Sequence, residues 1–174
     1  TIFAGEGKDI IYPGIGTNSI DLSENTSSID KLIMDYHDVS NQYNYVYGFN
    51  QGSTGDVIEF RNFLVDDFTF LPLVNSLDVP SGLINNCVVR VFGDNLTGSI
   101  NVENSFNTGG TLEKLNLSEG SLALLITSGS QNTGENQGMY AISHHSGHID
   151  VNQIASFIGN YLDIDSWSQD NFLF

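Results

Sequence analysis

Two stretches near the start of the chain decide how it is read. Ala4-Gly5-Glu6-Gly7-Lys8-Asp9-Ile10-Ile11-Tyr12 is followed directly by Pro13-Gly14-Ile15-Gly16-Thr17-Asn18-Ser19-Ile20-Asp21. Set nine residues apart, Gly5 falls over Gly14, Gly7 over Gly16, Asp9 over Asn18 and Ile11 over Ile20. Glycine tolerates the positive φ of a tight corner. The acidic or amide residue closes that corner, and the apolar residue two places later points into a narrow core. The repeat is degenerate, since Ala4 and Pro13 stand where a first glycine belongs.

Working outward, the rhythm loosens but does not vanish. Residues 22–28 read as a polar turn, 29–36 as a strand, 37–44 as a polar excursion, 45–49 as a strand, 51–56 as a turn and 57–60 as a strand. Gly55-Asp56-Val57-Ile58 echoes the earlier Gly-x-Asp-Ile-Ile. From Phe68 onward, short β-rich runs at 86–92, 99–102, 122–127, 138–143 and 154–157 alternate with Gly/Asn/Ser turns, which predicts a sandwich or roll. Residues 111–115 and 150–154 are possible starts of short helices, and no long amphipathic helix is visible. The expectation is an all-β chain: a short calcium-binding parallel β-roll over residues 1–66, leading into an antiparallel β-sandwich-like cap over 67–174.

Composition narrows the function. With 21 Asp and Glu against 5 Lys and Arg, the formal charge is −16. Such a chain lacks the basic footprint needed on nucleic acid. An anionic membrane surface would repel it, and divalent cations would be drawn to it. Eleven Phe and seven Tyr in a chain that is 40% hydrophobic argue against disorder. Cys87, the single cysteine, lies in Cys87-Val88-Val89-Arg90-Val91-Phe92 and reads as a small buried hydrophobe. No intrachain disulfide can form, so metal is the expected staple. No run approaches the roughly 18 apolar residues of a membrane span. Thr1-Ile2-Phe3-Ala4-Gly5-Glu6 lacks the features of a signal peptide and reads as the middle of a longer pattern.

Gly-rich corners followed by Asp at a nine-residue spacing suit calcium, a hard ion that takes six to eight oxygens. The expected ligands are the Asp9 and Asn18 side chains with the backbone carbonyls of Gly5, Gly7, Gly14 and Gly16. Asp30 and Asp56 are further candidates, because each precedes an apolar strand as Asp9 does.

The block formed by Asp9-Ile-Ile-Tyr, Ser19-Ile-Asp-Leu-Ser, Asp30-Lys-Leu, Tyr45-Val-Tyr-Gly-Phe and Gly55-Asp-Val-Ile-Glu-Phe resembles the last repeats of RTX (repeats-in-toxin) proteins. Ala123-Leu-Leu-Ile, Met139-Tyr-Ala-Ile, Ile154-Ala-Ser-Phe-Ile-Gly and Asp170-Asn-Phe-Leu-Phe are similar to the terminal module of large adhesins and S-layer proteins exported by type I secretion. The resemblance covers most of the chain and is loose over residues 71–110. It implies a secreted, extracellular module at the bacterial cell surface that folds outside the cell in calcium. It also implies a C-terminal secretion signal read by type I machinery, and association with other copies of itself or with other surface components. On that reading the chain is not an enzyme but serves secretion, calcium-driven folding and surface assembly. The alternatives are a glycan- or receptor-binding adhesin module, or the tail of an RTX enzyme whose catalytic domain lies upstream.

Other constellations carry less. His144-His145-Ser146-Gly147-His148 has the residue types of a zinc site, but Gly147 and the β pattern favour a solvent-facing turn. Ser128-Gly129-Ser130 lacks the strand–turn–helix setting of a nucleophile elbow. Asp66 and Asp67 would point to opposite faces of a strand. Tyr45 and Tyr47, with Tyr36, Tyr43 and Phe49 nearby, form either a packed sheet face or a carbohydrate-stacking surface.

Overall fold

The corners of the first coils come directly from the repeat. Gly5, Gly7, Gly14 and Gly16 all take positive φ, between 69° and 100°, which side-chain-bearing residues rarely adopt. Between such corners lie six strands: β1 (Ile2–Phe3), β2 (Ile10–Ile11), β3 (Gly16–Asp21), β4 (Lys31–Asp35), β5 (Gln42–Tyr47) and β6 (Val57–Arg61). This computed structural model describes residues 1–35, 42–62, 68–93, 96, 98–129, 136–159 and 162–174. Tyr36, residues 37–41 of the polar excursion, the Asp66–Asp67 pair and Ser130 lie outside the described residues.

The six strands alternate between two sheets. β1, β3 and β5 pair in parallel in one, with Ile2 beside Ile20 and Ile20 beside Val46. β2, β4 and β6 pair in parallel in the other, with Ile10 beside Lys31 and Lys31 beside Val57. The chain therefore winds in coils, one strand per sheet per turn. Ile2 meets Ile20 eighteen residues later, so a nine-residue repeat is half a coil. Positions equivalent in the repeat consequently face each other from opposite sheets. Ile11 and Ile20 show this, both buried in one core cluster with Leu22, Leu32, Met34, Val46 and Ile58.

The remaining strands are β7 (Thr69–Phe70), β8 (Val74–Asn75), β9 (Gly82–Leu83), β10 (Cys87–Phe92), β11 (Leu115–Asn116), β12 (Leu122–Ser128), β13 (Gln137–His145), β14 (His148–Ile158) and β15 (Phe172–Leu173), with one helix, α1 (Ser99–Ser105). The chain is all-β in class, as its strand pattern leads one to expect. The first sheet continues without a break in the order β1-β3-β5-β14-β13-β12-β10-β7, with β8 also on β10. β15 extends the second, in the order β15-β6-β4-β2. The described residues of 1–66 and 67–174 thus share both sheets and the first of two core clusters, the second being formed by the later part alone.

The later part differs in detail from an antiparallel sandwich. Among the described residues of the large sheet, only β12–β13 and β13–β14 pair antiparallel; β10–β12 and β14–β5 are parallel. The period-two pattern that marks a strand is silent on its partner's direction. β12 is buried along its whole length, as strands covered on both faces are. Leu122, Leu124 and Ile126 pack toward the second sheet. Ala123 and Leu125 pack the other way, with Leu96, Val102, Leu112 and Leu117. Residues 99–102, expected as a strand, open α1 just after Gly98 at φ 79°. Residues 150–154, expected as a helix start, lie in β14, drawn into a hairpin with β13 through Ser146 and Gly147 at positive φ. Residues 111–114 form a turn leading into β11.

The C-terminal segment is fastened across the coil mouth. Trp167 stacks on Phe49 and Phe172, and Phe174 stacks on Phe60 and Phe68. Buried Arg90 donates from Nη1 to the carbonyls of Ile164, Asp165 and Trp167 and lies over the Phe70 ring, 4.6 Å from its centre. Cys87 is buried, and burial pushes its thiol up.

Candidate metal centre

Each even strand of the coil is preceded by an aspartate: Asp9 before β2, Asp30 before β4 and Asp56 before β6. Because β2, β4 and β6 stack in register, the three carboxylates form a column. The backbone supplies the first tie, with Lys31 N–H donating to the Asp9 carbonyl and Val57 N–H to the Asp30 carbonyl, both at 2.8 Å. The side chains supply the second. Asp9 N–H donates to Asp30 Oδ1 and Asp30 N–H to Asp56 Oδ1, each at 2.9 Å. Asp56 Oδ2 accepts Asn50 N–H at 2.7 Å, so both of its oxygens are engaged. That bond depends on Gly55, where a Cβ would meet the Asn50 carbonyl oxygen at 2.2 Å. Asn171, before β15, follows next to the column and donates from Nδ2 to the Asp56 carbonyl at 2.8 Å.

A fourth carboxylate arrives at the outer end of the column from a loop. Glu24 accepts Gly7 N–H at 2.9 Å and both N–H and Oγ–H of Ser28 at 2.8 to 3.0 Å. Its neighbour across the corner, Glu6, accepts from Asn25 and Thr26, backbone and side chain alike. Those donors, led by the Asn25 backbone N–H and the Thr26 hydroxyl, lower the Glu6 carboxyl to about 2. The two glutamates hold the 24–28 loop against the first corner. Oxygens of Asp9, Glu24 and Asp30 then lie within 4.8 Å of one another.

The electrostatics of this group are unbalanced. Burial raises the Asp30 carboxyl, and the charges of Glu24 and Asp9 raise it further against the opposing Asp9 N–H bond. Burial likewise lifts Asp56 to about 6, with Asp30 and Glu24 adding to the shift and the Asn50 and Asp30 N–H groups opposing it. Asp9 Oδ2 is buried and has no hydrogen-bond partner. An unpartnered anionic oxygen in a cluster of three carboxylates has the donor set of a hard divalent cation. Calcium or magnesium fits its chemistry, and soft-ligand metals do not.

The residues expected to share an ion are placed differently from one another. Asp9 and Asp30 come together. Asp56 lies one coil further in, 1% exposed. Asn18 is on the opposite sheet, half a coil from Asp9, and donates from Nδ2 to Asn44 Oδ1 at 3.1 Å. The Gly14 and Gly16 carbonyls face the same Asn18 amide at 3.5 and 3.4 Å. Gly7 presents its N–H to Glu24, and Gly5 turns the chain at the same corner. Glu24 is not among the candidates that the sequence offers. It sits where the repeat has dissolved into a polar turn, and only the coil register returns it to Asp9.

His144 and His145 flank Glu119 at 3.6 and 3.9 Å, while His148 faces Glu103 and Asp150 at 3.4 and 3.9 Å. Glu119 also accepts the N–H groups of Ser146 and Gly147, so it fastens the hairpin turn. Ser128 is a buried residue inside β12, not on a strand–helix elbow. Comparisons with protein-family models, with curated proteins and with solved structures find no match for this chain.

Proposed function

We propose that this chain is a non-catalytic calcium-binding module of a secreted bacterial surface protein, in which the ion joins the first coil to the loop that follows it. The observation that carries this reading is the Asp9–Glu24–Asp30 group, one of whose members, Asp9, has a buried and unpartnered Oδ2. Calcium there offsets the repulsion among the three carboxylates and clamps the 24–28 loop to the Gly5–Gly7 corner. In low calcium the same charges oppose closure of the coil, so folding follows the calcium level of the surroundings, as suits a chain exported unfolded by type I secretion. The coil with its half-turn repeat of nine residues supports the RTX likeness drawn from the sequence. Self-association in a surface layer finds support in β1 and β2, edge strands among the described residues, which expose Phe3 and Ile10 at 75% and 73%.

The test is a pair of melting curves, one after exhaustive chelation and one in millimolar calcium, for the wild-type chain and for Asp30→Asn. Calcium is expected to raise the wild-type melting temperature and to leave that of Asp30→Asn nearly unmoved. Superimposable wild-type curves would remove the calcium reading.

A further inference from the structure

The large sheet has one face that is covered along only half its width. Over β10, β12 and β13 that face carries the second core cluster, roofed by α1 and by residues such as Leu112 and Leu117. The roof ends at β14, where Gln153 N–H donates to Ser99 Oγ of α1 at 3.1 Å. Beyond it, on β5 and β3, the described residues place no such roof on the same face. Along β5 the inward residues Asn44 and Val46 are fully buried, and the outward ones are Tyr43, Tyr45 and Tyr47. Tyr45 and Tyr47 are each 37% exposed.

We infer that this tyrosine row is a binding surface for a neutral glycan. Three features of the face point to that class. First, two of the rings, Tyr43 and Tyr45, are held in place. Tyr43 and Tyr45 meet edge to face at 4.7 Å, and the Tyr43 hydroxyl bonds Ser156 Oγ at 2.9 Å, itself bonded by Gln153 Nε2 at 3.1 Å. An aromatic ring fixed at such an angle offers its face to the C–H groups of a pyranose ring, and its hydroxyl to a sugar hydroxyl. Second, the positions flanking Tyr43 and Tyr45 are small and hydroxylated, while Tyr47 lies between Asp21 and Ile158. Thr17 and Ser19 lie beside Tyr43 and Tyr45 on β3, and Ser156 lies beside Tyr45 on β14. They suit hydrogen bonding to sugar hydroxyls and not the dry packing of a protein interface. Third, β5 is bonded to β3 on one side and β14 on the other, so the tyrosine-bearing strand itself has no free edge on which to take up an extended peptide as an added strand.

Charge selects within the class. Asp21 lies beside Tyr47, the named residues include no Lys or Arg, and the chain carries −16 overall, so acidic polysaccharides are repelled. Uncharged hexose or N-acetylhexosamine chains are the occupants that fit. This inference does not depend on the calcium centre, which lies at the corners of the other sheet.

Affinity electrophoresis of the folded 174-residue chain tests it, in gels cast with hydroxyethyl cellulose, yeast mannan, glycol chitin or, as the acidic comparison, polygalacturonate. Retardation by at least one neutral polymer is expected, with free mobility restored in Tyr45→Ala/Tyr47→Ala at an unchanged melting temperature. Nitration of the wild-type chain, read by mass spectrometry, supplies a measurement that needs no variant: the retarding polymer should protect Tyr45 and Tyr47. Free mobility in all four gels, retardation by polygalacturonate alone, equal retardation of the double variant, or unprotected tyrosines would each overturn the inference.

Discussion

Two polar columns cross the coils, one at each sheet, and they are built on opposite principles. On β3 and β5 the column is amide: Asn18 donates to Asn44, and buried Asn44 donates onward to the Ile154 carbonyl at 3.2 Å. On the other sheet it is anionic: Asp9 N–H donates to Asp30, Asp30 N–H to Asp56 and Asn50 N–H to Asp56, while Asp9 Oδ2 is left without a donor. Parallel in-register stacking places like residues on like. An amide carries both donor and acceptor, so a stack of amides satisfies itself. A carboxylate only accepts, so a stack of carboxylates leaves charge over. At the inner end of the acidic column Asn171 adds an amide that donates to the Asp56 carbonyl. At the outer end Glu24 adds another charge, and there the imbalance is greatest.

The contrast is broken most severely at Asp56. Asp56→Leu removes the acceptor for both Asp30 N–H and Asn50 N–H, leaving two donors unsatisfied, at a cost of roughly 1–3 kcal/mol each. Urea unfolding should show a loss of several kcal/mol that calcium does not restore. Next comes the ion itself. At a calcium concentration one hundred times its Kd, linkage predicts about 2.7 kcal/mol of added stability. That increment should disappear in Asp30→Asn or Glu24→Gln and persist in Asn44→Ala.

The pH dependence separates the columns further. The folded Asp56 carboxyl, at about 6, lies above the ordinary value of 3.8, so protonation favours the folded state. In chelator, stability should therefore rise as pH falls from 8 through 6 toward 4, by about 1–3 kcal/mol. Asp56→Asn should flatten that rise. Glu6 acts with the opposite sign: lowered to about 2, it stabilises above its ordinary value of 4.5, and that contribution fades as pH falls through 2. The smallest effect belongs to the amide column. Asn18→Ala leaves Asn44 Oδ1 without this donor, and should cost about 1 kcal/mol at any pH and any calcium concentration.

The coil was legible because its half-turn repeat is local. Gly5/Gly14, Asp9/Asn18 and Ile11/Ile20 announce two equivalent corners within eighteen residues. What the repeat conceals is that equivalence in sequence means opposition in space. Asn18 therefore stacks on Asn44, and Asp9 on Asp30, across spacings longer than the repeat. Asp30 and Asp56 could still be picked out, since each is an acid directly before an apolar strand. Glu24 could not, because a loop residue carries no period. In the later part, strands such as 87–92 and 122–128 were visible as apolar runs, but their parallel pairing depends on contacts between residues more than thirty positions apart. At residues 99–102 a short helix replaces the expected strand because Gly98 turns the chain and Val102 finds the second core.

Calcium titration calorimetry on chelator-treated protein bears most directly on the acidic column. Wild type and Asn18→Ala should bind calcium alike, and Asp30→Asn at least tenfold more weakly. Equal affinity in wild type and Asp30→Asn, or loss of binding in Asn18→Ala, would contradict that expectation.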